Sequence, residues 1–207
     1  MKERGMLFSR PMVLALLDGS KTQTRRICKP QPVLNGHFWE LYGAGWSENI
    51  RRVPAVPGHS LATRNPYGQP GDRLWVRETF AEVGNVDPGY LIYRANDYME
   101  QVRKHRFDTY LPESKVRWTP SIHMPRRASR IDLEITSVRV ERLNDCSEAD
   151  AKAEGVTDFG NITDIATGEI DRDAVEAYEA LWETINGAGS WDANPWVWVI
   201  EFRRVKP

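Results

Sequence analysis

The apolar and polar positions of the chain predict a short strand and a helix at its start. Met6-Leu7-Phe8 is apolar and strand-like. Ser9 stands where an N-cap belongs, and Pro11 sits near the first helical position, where its missing N–H costs nothing. Met12, Val13, Leu16 and Leu17 recur at helical spacing, and Gly19 can take the left-handed conformation that ends a helix. Lys21 then opens a short extended segment through Arg26. After the turn Pro70-Gly71-Asp72, residues 73–80 alternate. Leu74, Val76, Glu78 and Phe80 share one face; Arg73, Trp75, Arg77 and Thr79 share the other. Residues 90–94 form another short strand. Residues 131–140 make a strong strand whose apolar phase slips near Thr136-Ser137, which predicts a β-bulge or a barrel corner.

Ser147 with Asp150 is a capping-box pattern opening a helix to Glu154, closed by Gly155. Residues 173–186 form a second helix with Val175, Tyr178, Leu181, Trp182 and Ile185 on one face. The final strand, 195–202, is apolar on both faces in its first half, as a central strand is. Between these segments, residues 30–71 are rich in Gly, Pro and Asn and show no sustained period. Residues 38–42 and 46–53 could pair across Gly43-Ala44-Gly45. The stretch at about 31–69 reads as an insertion or long loop, since structureless loops this long are unusual unless functional. Residues 97–117 are polar, as a surface segment is. Residues 118–130 are irregular and dense in His123, Arg126, Arg127 and Arg130. Short strands, a phase slip and a few helices predict an α+β domain over 1–207 with a small curved or closed sheet, not repeated βαβ units.

Composition narrows the functional classes. The chain has 207 residues and is 41% hydrophobic, enough for a sizeable core. Lys and Arg number 28 against 29 Asp and Glu, so any basic surface must be local. Cys28 and Cys146 are too few for a disulfide framework and suit reduced thiols in a cytoplasmic protein. No apolar run approaches the ~20 residues of a membrane span, and no signal pattern opens the chain, so no membrane partner is expected. Asn161-Ile162-Thr163 matches a glycosylation sequon by chance in that setting. The four histidines lack metal-ligand spacing and no cofactor motif occurs, so neither metal nor cofactor is expected.

The densest chemistry is Gly19-Ser20-Lys21-Thr22-Gln23-Thr24-Arg25-Arg26. Lys21, Thr24 and Glu78 suit a catalytic set. Threonine needs a base to take its proton, and lysine is such a base once desolvation or a nearby cation lowers its pKa. Glu78, on an apolar face, must be paired or hold a proton to donate. The plainer alternative is a solvated Lys21, an ordinary strand Thr24 and a Glu78 paired with Arg25. Likewise Arg25, Arg26, Arg126, Arg127 and Arg130 with Trp75, Trp118 and Trp196 suit a cleft that binds phosphate and stacks bases. Solvated arginines over core tryptophans are the alternative.

Phe8 to Arg26, then Gly71-Asp72-Arg73-Leu74-Trp75-Val76-Arg77-Glu78, then the closing Trp196 strand, resemble an ASCH domain. The blocks Ser121-Ile122-His123-Met124-Pro125 and Gly189-Ser190-Trp191-Asp192-Ala193-Asn194-Pro195-Trp196 resemble those of long ASCH proteins of phages and prophages. The resemblance implies a PUA-like mixed β-barrel with a few flanking helices and a cleft for RNA or a modified nucleoside. Small enzymatic ASCH proteins hydrolyse N4-acetylcytidine with Lys, Thr and Glu at the matching places. This implies Lys21 as proton acceptor, Thr24 as nucleophile and Glu78 as proton donor. Arg25, Arg26, Trp75, Arg77, Trp118, His123, Arg126, Arg127, Arg130 and Trp196 are the expected substrate-binding residues. A single-strand ribonuclease and a non-catalytic RNA-binding module are the alternative activities.

Overall fold

The computed structural model describes residues 1–84, 89–105, 112–156 and 174–205. β1 (Glu3–Leu7) leads through α1 (Arg10–Asp18) to β2 (Gln23–Ile27). Then come β3 (Val33–Asn35), β4 (Phe38–Leu41), β5 (Ala44–Ser47), β6 (Arg52–Pro54) and α2 (Ser60–Arg64). β7 (Arg73–Arg77), β8 (Phe80–Val83) and β9 (Tyr90–Tyr93) precede α3 (Tyr98–His105). β10 (Asp132–Arg142), α4 (Glu148–Ala153), α5 (Ala174–Asn186) and β11 (Trp196–Val205) complete the order.

The main sheet runs β1-β7-β10-β11-β2, with β6 also on β10. Only β1 and β7 are parallel within it. β10 is long enough to pair with β11 along its length while taking β7 at one end and β6 at the other. Its register shift between Ile135 and Ser137 is the phase slip read from the apolar pattern. β11 lies between β10 and β2, and Trp196 to Ile200 are buried on both faces, as a central strand requires. One face carries Trp196, Trp198, Ile200 and Phe202 into the main core, with Val13 and Leu16 of α1. The other carries Val197 and Val199 against Tyr178 and Trp182 of α5.

The architecture is mixed α+β, but the expected closed barrel is not formed. Among the described residues no ladder joins β1 to β2, so both remain edges of an open sheet. The chain passes between these edges through α1, and the Arg26 guanidinium crosses the seam to donate from Nη2 to the Leu7 carbonyl at 2.9 Å. A side chain bridges where a backbone ladder would have closed the barrel.

Local chemistry sets most element ends where the pattern put them. Ser9 is extended, Pro11 lies in the first turn of α1, and Gly19 ends the helix at φ 91°, its N–H on the Ala15 carbonyl at 3.1 Å. Ser147 and Asp150 form the reciprocal capping box of α4. The stretch 31–69 is largely ordered rather than structureless. β3, β4 and β5 form an antiparallel meander, β6 joins the main sheet, and Trp39 and Trp46 lie edge-on to Trp196 at 5.4 Å. In the polar stretch 97–117, α3 buries Tyr98 and Gln101. The start of the last helix at Asp173 and the sequon at Asn161 lie outside the described residues. Among the described residues no helix is long and apolar enough to cross a membrane.

Candidate functional site

The open seam is also concave. Two adjoining cavities, about 420 and 590 Å³, share Met12 of α1, Arg26 of β2, Pro66, Tyr67, and Ile185 and Asn186 at the end of α5. The smaller extends along β2 to Arg25, Lys29, Glu154, Tyr178 and Trp182. The larger extends along β1 to Phe8, Arg77 and Ser121.

Lys21 is not a solvated residue beyond a helix. It is 2% exposed, and its Nζ donates to Glu154 twice, to Oε2 at 2.8 Å and to the backbone carbonyl at 2.7 Å. Desolvation pulls its pKa below the ordinary lysine value; Glu154 opposes that, while Arg26 and Arg25 add to it. The contact depends on Gly155, whose φ is +81°. A Cβ there would lie 2.7 Å from Ala15 Cβ and 2.8 Å from Lys21 Cβ. Thr24 is fully buried in β2, opposite Ile200, and its hydroxyl has no hydrogen-bond partner.

Arg25 is 1% exposed and belongs to a buried ionic network. Its Nη2 reaches Glu141 at 2.7 Å and Asp150 at 3.5 Å, and its Nη1 reaches Glu154 at 3.4 Å. Glu141 also takes Arg139 and Arg52, each at 2.8 Å. Arg139 continues to Asp150 and Glu201. Burial pushes Asp150 up, yet Ser147 and the guanidinia of Arg25 and Arg139 hold its carboxyl well below the usual carboxylate range. Burial also pushes the Cys146 thiol up to about 12, despite Arg25 nearby.

Glu78 faces inward as the alternation of β7 predicts and is 2% exposed. Its partner is Arg130, not Arg25: a fork of Nε to Oε1 and Nη2 to Oε2, both 2.9 Å. Arg130 also donates to Asn96 at 2.7 Å and lies 3.9 Å from the centre of the Tyr93 ring. Among the described residues no hydrogen bond or ion pair joins Glu78 to Lys21 or Thr24. Phe8 neighbours both Lys21 and the Arg77 backbone that precedes Glu78. Its N–H donates to the Arg77 carbonyl at 3.2 Å, and its ring faces Lys21 Nζ at 6.0 Å and Arg26 at 5.6 Å.

The expected binding residues divide. Arg25, Arg26 and Arg77 border the cleft. Trp75, half-buried, lies under Arg77 and Arg126 at 5.5 and 6.0 Å. Arg126 pairs with Glu3 and Asp132, and Arg127 with Glu82. His123 is exposed on a 3-10 turn, and Trp118 packs in the cluster beside β8 and α3, under Arg94. Trp196 is core, only 2% exposed beneath Trp39, Trp46 and Arg142, so it offers no stacking face. Sequence reasoning missed Glu154, Tyr67 and Tyr178. Glu154 carried a usable signal: an acid at a helix end followed by glycine. Nothing local indicated that it meets Lys21.

Fold and site together define a mixed α+β protein with a cleft at the open seam of its main sheet, bordered by Lys29 and several arginines, while Lys21, Thr24 and Glu78 are buried and line neither cavity. Comparison with protein-family models, with curated proteins and with solved structures finds no match.

Proposed function

We propose that the protein hydrolyses the acylated exocyclic amine of a cytidine such as N4-acetylcytidine, within an ASCH-like, PUA-like fold whose barrel is open at the cleft. The observation that carries this reading is a buried Lys21, its pKa lowered by desolvation, three residues before a Thr24 hydroxyl that is buried without a hydrogen-bond partner. In this sequence Lys21, once released from Glu154 and deprotonated, takes the Thr24 proton, and Oγ attacks the acyl carbonyl. The C–N bond breaks as the cytidine nitrogen takes this same proton, passed from the Lys21 ammonium by way of Glu78, which leaves Lys21 neutral again. Water, with Lys21 again as base, then cleaves the acyl-threonine ester to acid and free enzyme. Lys21 must give up its bonds to Glu154, and Glu78 part of its fork to Arg130, for this sequence to run.

The test is incubation with N4-acetylcytidine and with single-stranded RNA, with products identified by mass. Deacetylated cytidine is the expected product. Lys21→Ala, Thr24→Ala and Glu78→Gln are each expected to lower turnover by about 10²- to 10⁴-fold. Unchanged turnover in all three would overturn the triad. No turnover in the parent protein removes the substrate class: shortened RNA then indicates a ribonuclease, and salt-sensitive binding of intact RNA a binding module.

A further inference from the structure

The arginines divide into those that face acid and those that do not. Arg25, Arg126, Arg127, Arg130 and Arg139 each face a carboxylate. Among the described residues Arg26 and Arg77 face none, and both border the 590 Å³ cavity. Each is held by backbone instead. Arg26 donates to the carbonyls of Arg25 and Leu7, at 3.2 and 2.9 Å, and Arg77 donates to the Ile122 carbonyl. Both are tied to one short piece of chain: Arg26 to the Leu7 carbonyl, and the Arg77 backbone to the Phe8 N–H. Lys29, bordering the 420 Å³ cavity, also lacks a carboxylate among the described residues.

A guanidinium carries five N–H donors, so these contacts leave donors free on both arginines. Two like charges framing one hollow repel each other, and an anion between them relieves that repulsion. Because carbonyls and aromatic rings already hold the two side chains, an arriving anion loses little affinity to ordering them. The 420 Å³ cavity has the size of a small-ligand site, and beside Arg25, Arg26, Lys29 and Glu154 it is lined by apolar and aromatic groups, including Tyr67, which both cavities share. A hollow with aromatic walls beside one bordered by two cations without acids matches a base with its neighbouring phosphate.

We propose that the cleft takes a phosphodiester strand, with one nucleoside in the smaller cavity and the adjoining phosphate between Arg26 and Arg77 in the larger. The substrate is then a nucleotide within a single strand rather than a free nucleoside. Only the identity of the modified base rests on the proposed function; the phosphate clamp stands on the unpaired cations.

The experiment measures binding of cytidine, cytidine 5′-monophosphate and a single-stranded trinucleotide with central cytidine, as RNA and as DNA, over a range of salt. No turnover is needed, so a failed hydrolysis assay leaves this test intact. The trinucleotide is expected to bind at least about 10-fold tighter than cytidine, with a log–log salt slope near −0.7 per phosphate held. Arg77→Gln and Arg26→Gln, on separate strands and checked for folding by circular dichroism, are each expected to cost about 5- to 10-fold in trinucleotide affinity. Each is also expected to flatten the slope by about 0.7, and Arg77→Gln, at a residue that borders only the larger cavity, to leave cytidine binding unchanged. Arg77→Lys should restore the slope. Equal affinity for cytidine and trinucleotide, or an Arg77→Gln protein that binds both less tightly by the same factor, would overturn the clamp. A monophosphate that binds as well as the trinucleotide would overturn the strand.

Discussion

Arg25 and Arg26 are neighbours in one strand with opposite fates. Arg25 lies opposite Val199, on the face covered by α4 and α5, and three carboxylates surround it. Arg26 lies opposite Trp198, on the face toward the seam, and bonds to carbonyl oxygens alone. Strand alternation puts the two guanidinia on different sides of the sheet, and what packs on each side does the rest. The same side chain is a structural ion on one face and an open cation on the other. A run of basic residues therefore says little about binding until the faces are assigned.

The comparison is broken most directly by removing each charge in turn. Arg25→Met leaves buried carboxylates short of a partner and is expected to cost about 3–5 kcal/mol in urea unfolding. Arg26→Met removes a cation with no acid to strand and is expected to cost about 1 kcal/mol or less. Equal losses would mean that the two faces do not differ as described. Gly155→Ala tests the geometry beside Arg25's network. The added methyl meets Ala15 and Lys21 under 3 Å in a left-handed backbone, so a loss of about 2–4 kcal/mol is expected by thermal unfolding. A loss under about 0.5 kcal/mol would show that α4 can shift away from Lys21 freely.

The smallest effect is on acid stability. Asp150 has a folded pKa below its unfolded value of roughly 3.9, so its contribution is present above that value and is lost as pH falls through the folded one. An Asp150→Asn protein should therefore lose less stability than its parent between about pH 4 and pH 2. Parallel acid unfolding curves would place the charge dependence of the network elsewhere.

Much of the framework was legible because it depends on neighbours in the chain. Ser9, Pro11 and Gly19 bound α1, Ser147 and Asp150 cap α4, and the slip at Thr136 is a register shift. The inward Glu78 followed from a period of two. The site was less legible. Lys21 meets Glu154 across 133 residues and Glu78 meets Arg130 across 52, and neither pairing has a local signal. Trp196 looked equally suited to stacking and to packing, since indole serves both. Its burial comes from Trp39 and Trp46, in a stretch that has no sustained period.

Residue order alone was enough to place a helix before Lys21, a strand before Glu78 and Glu78 itself on the apolar face of that strand. These follow from backbone geometry and capping, whose reach is a few residues. Only the folded arrangement decided which charges are neutralised and which remain open, and that β1 and β2 leave a seam between them. Ion pairing and sheet closure depend on segments distant in the chain, and the closing contact here is a side chain, Arg26 on the Leu7 carbonyl. That contact turns an expected barrel wall into a cleft with unpaired cations along it.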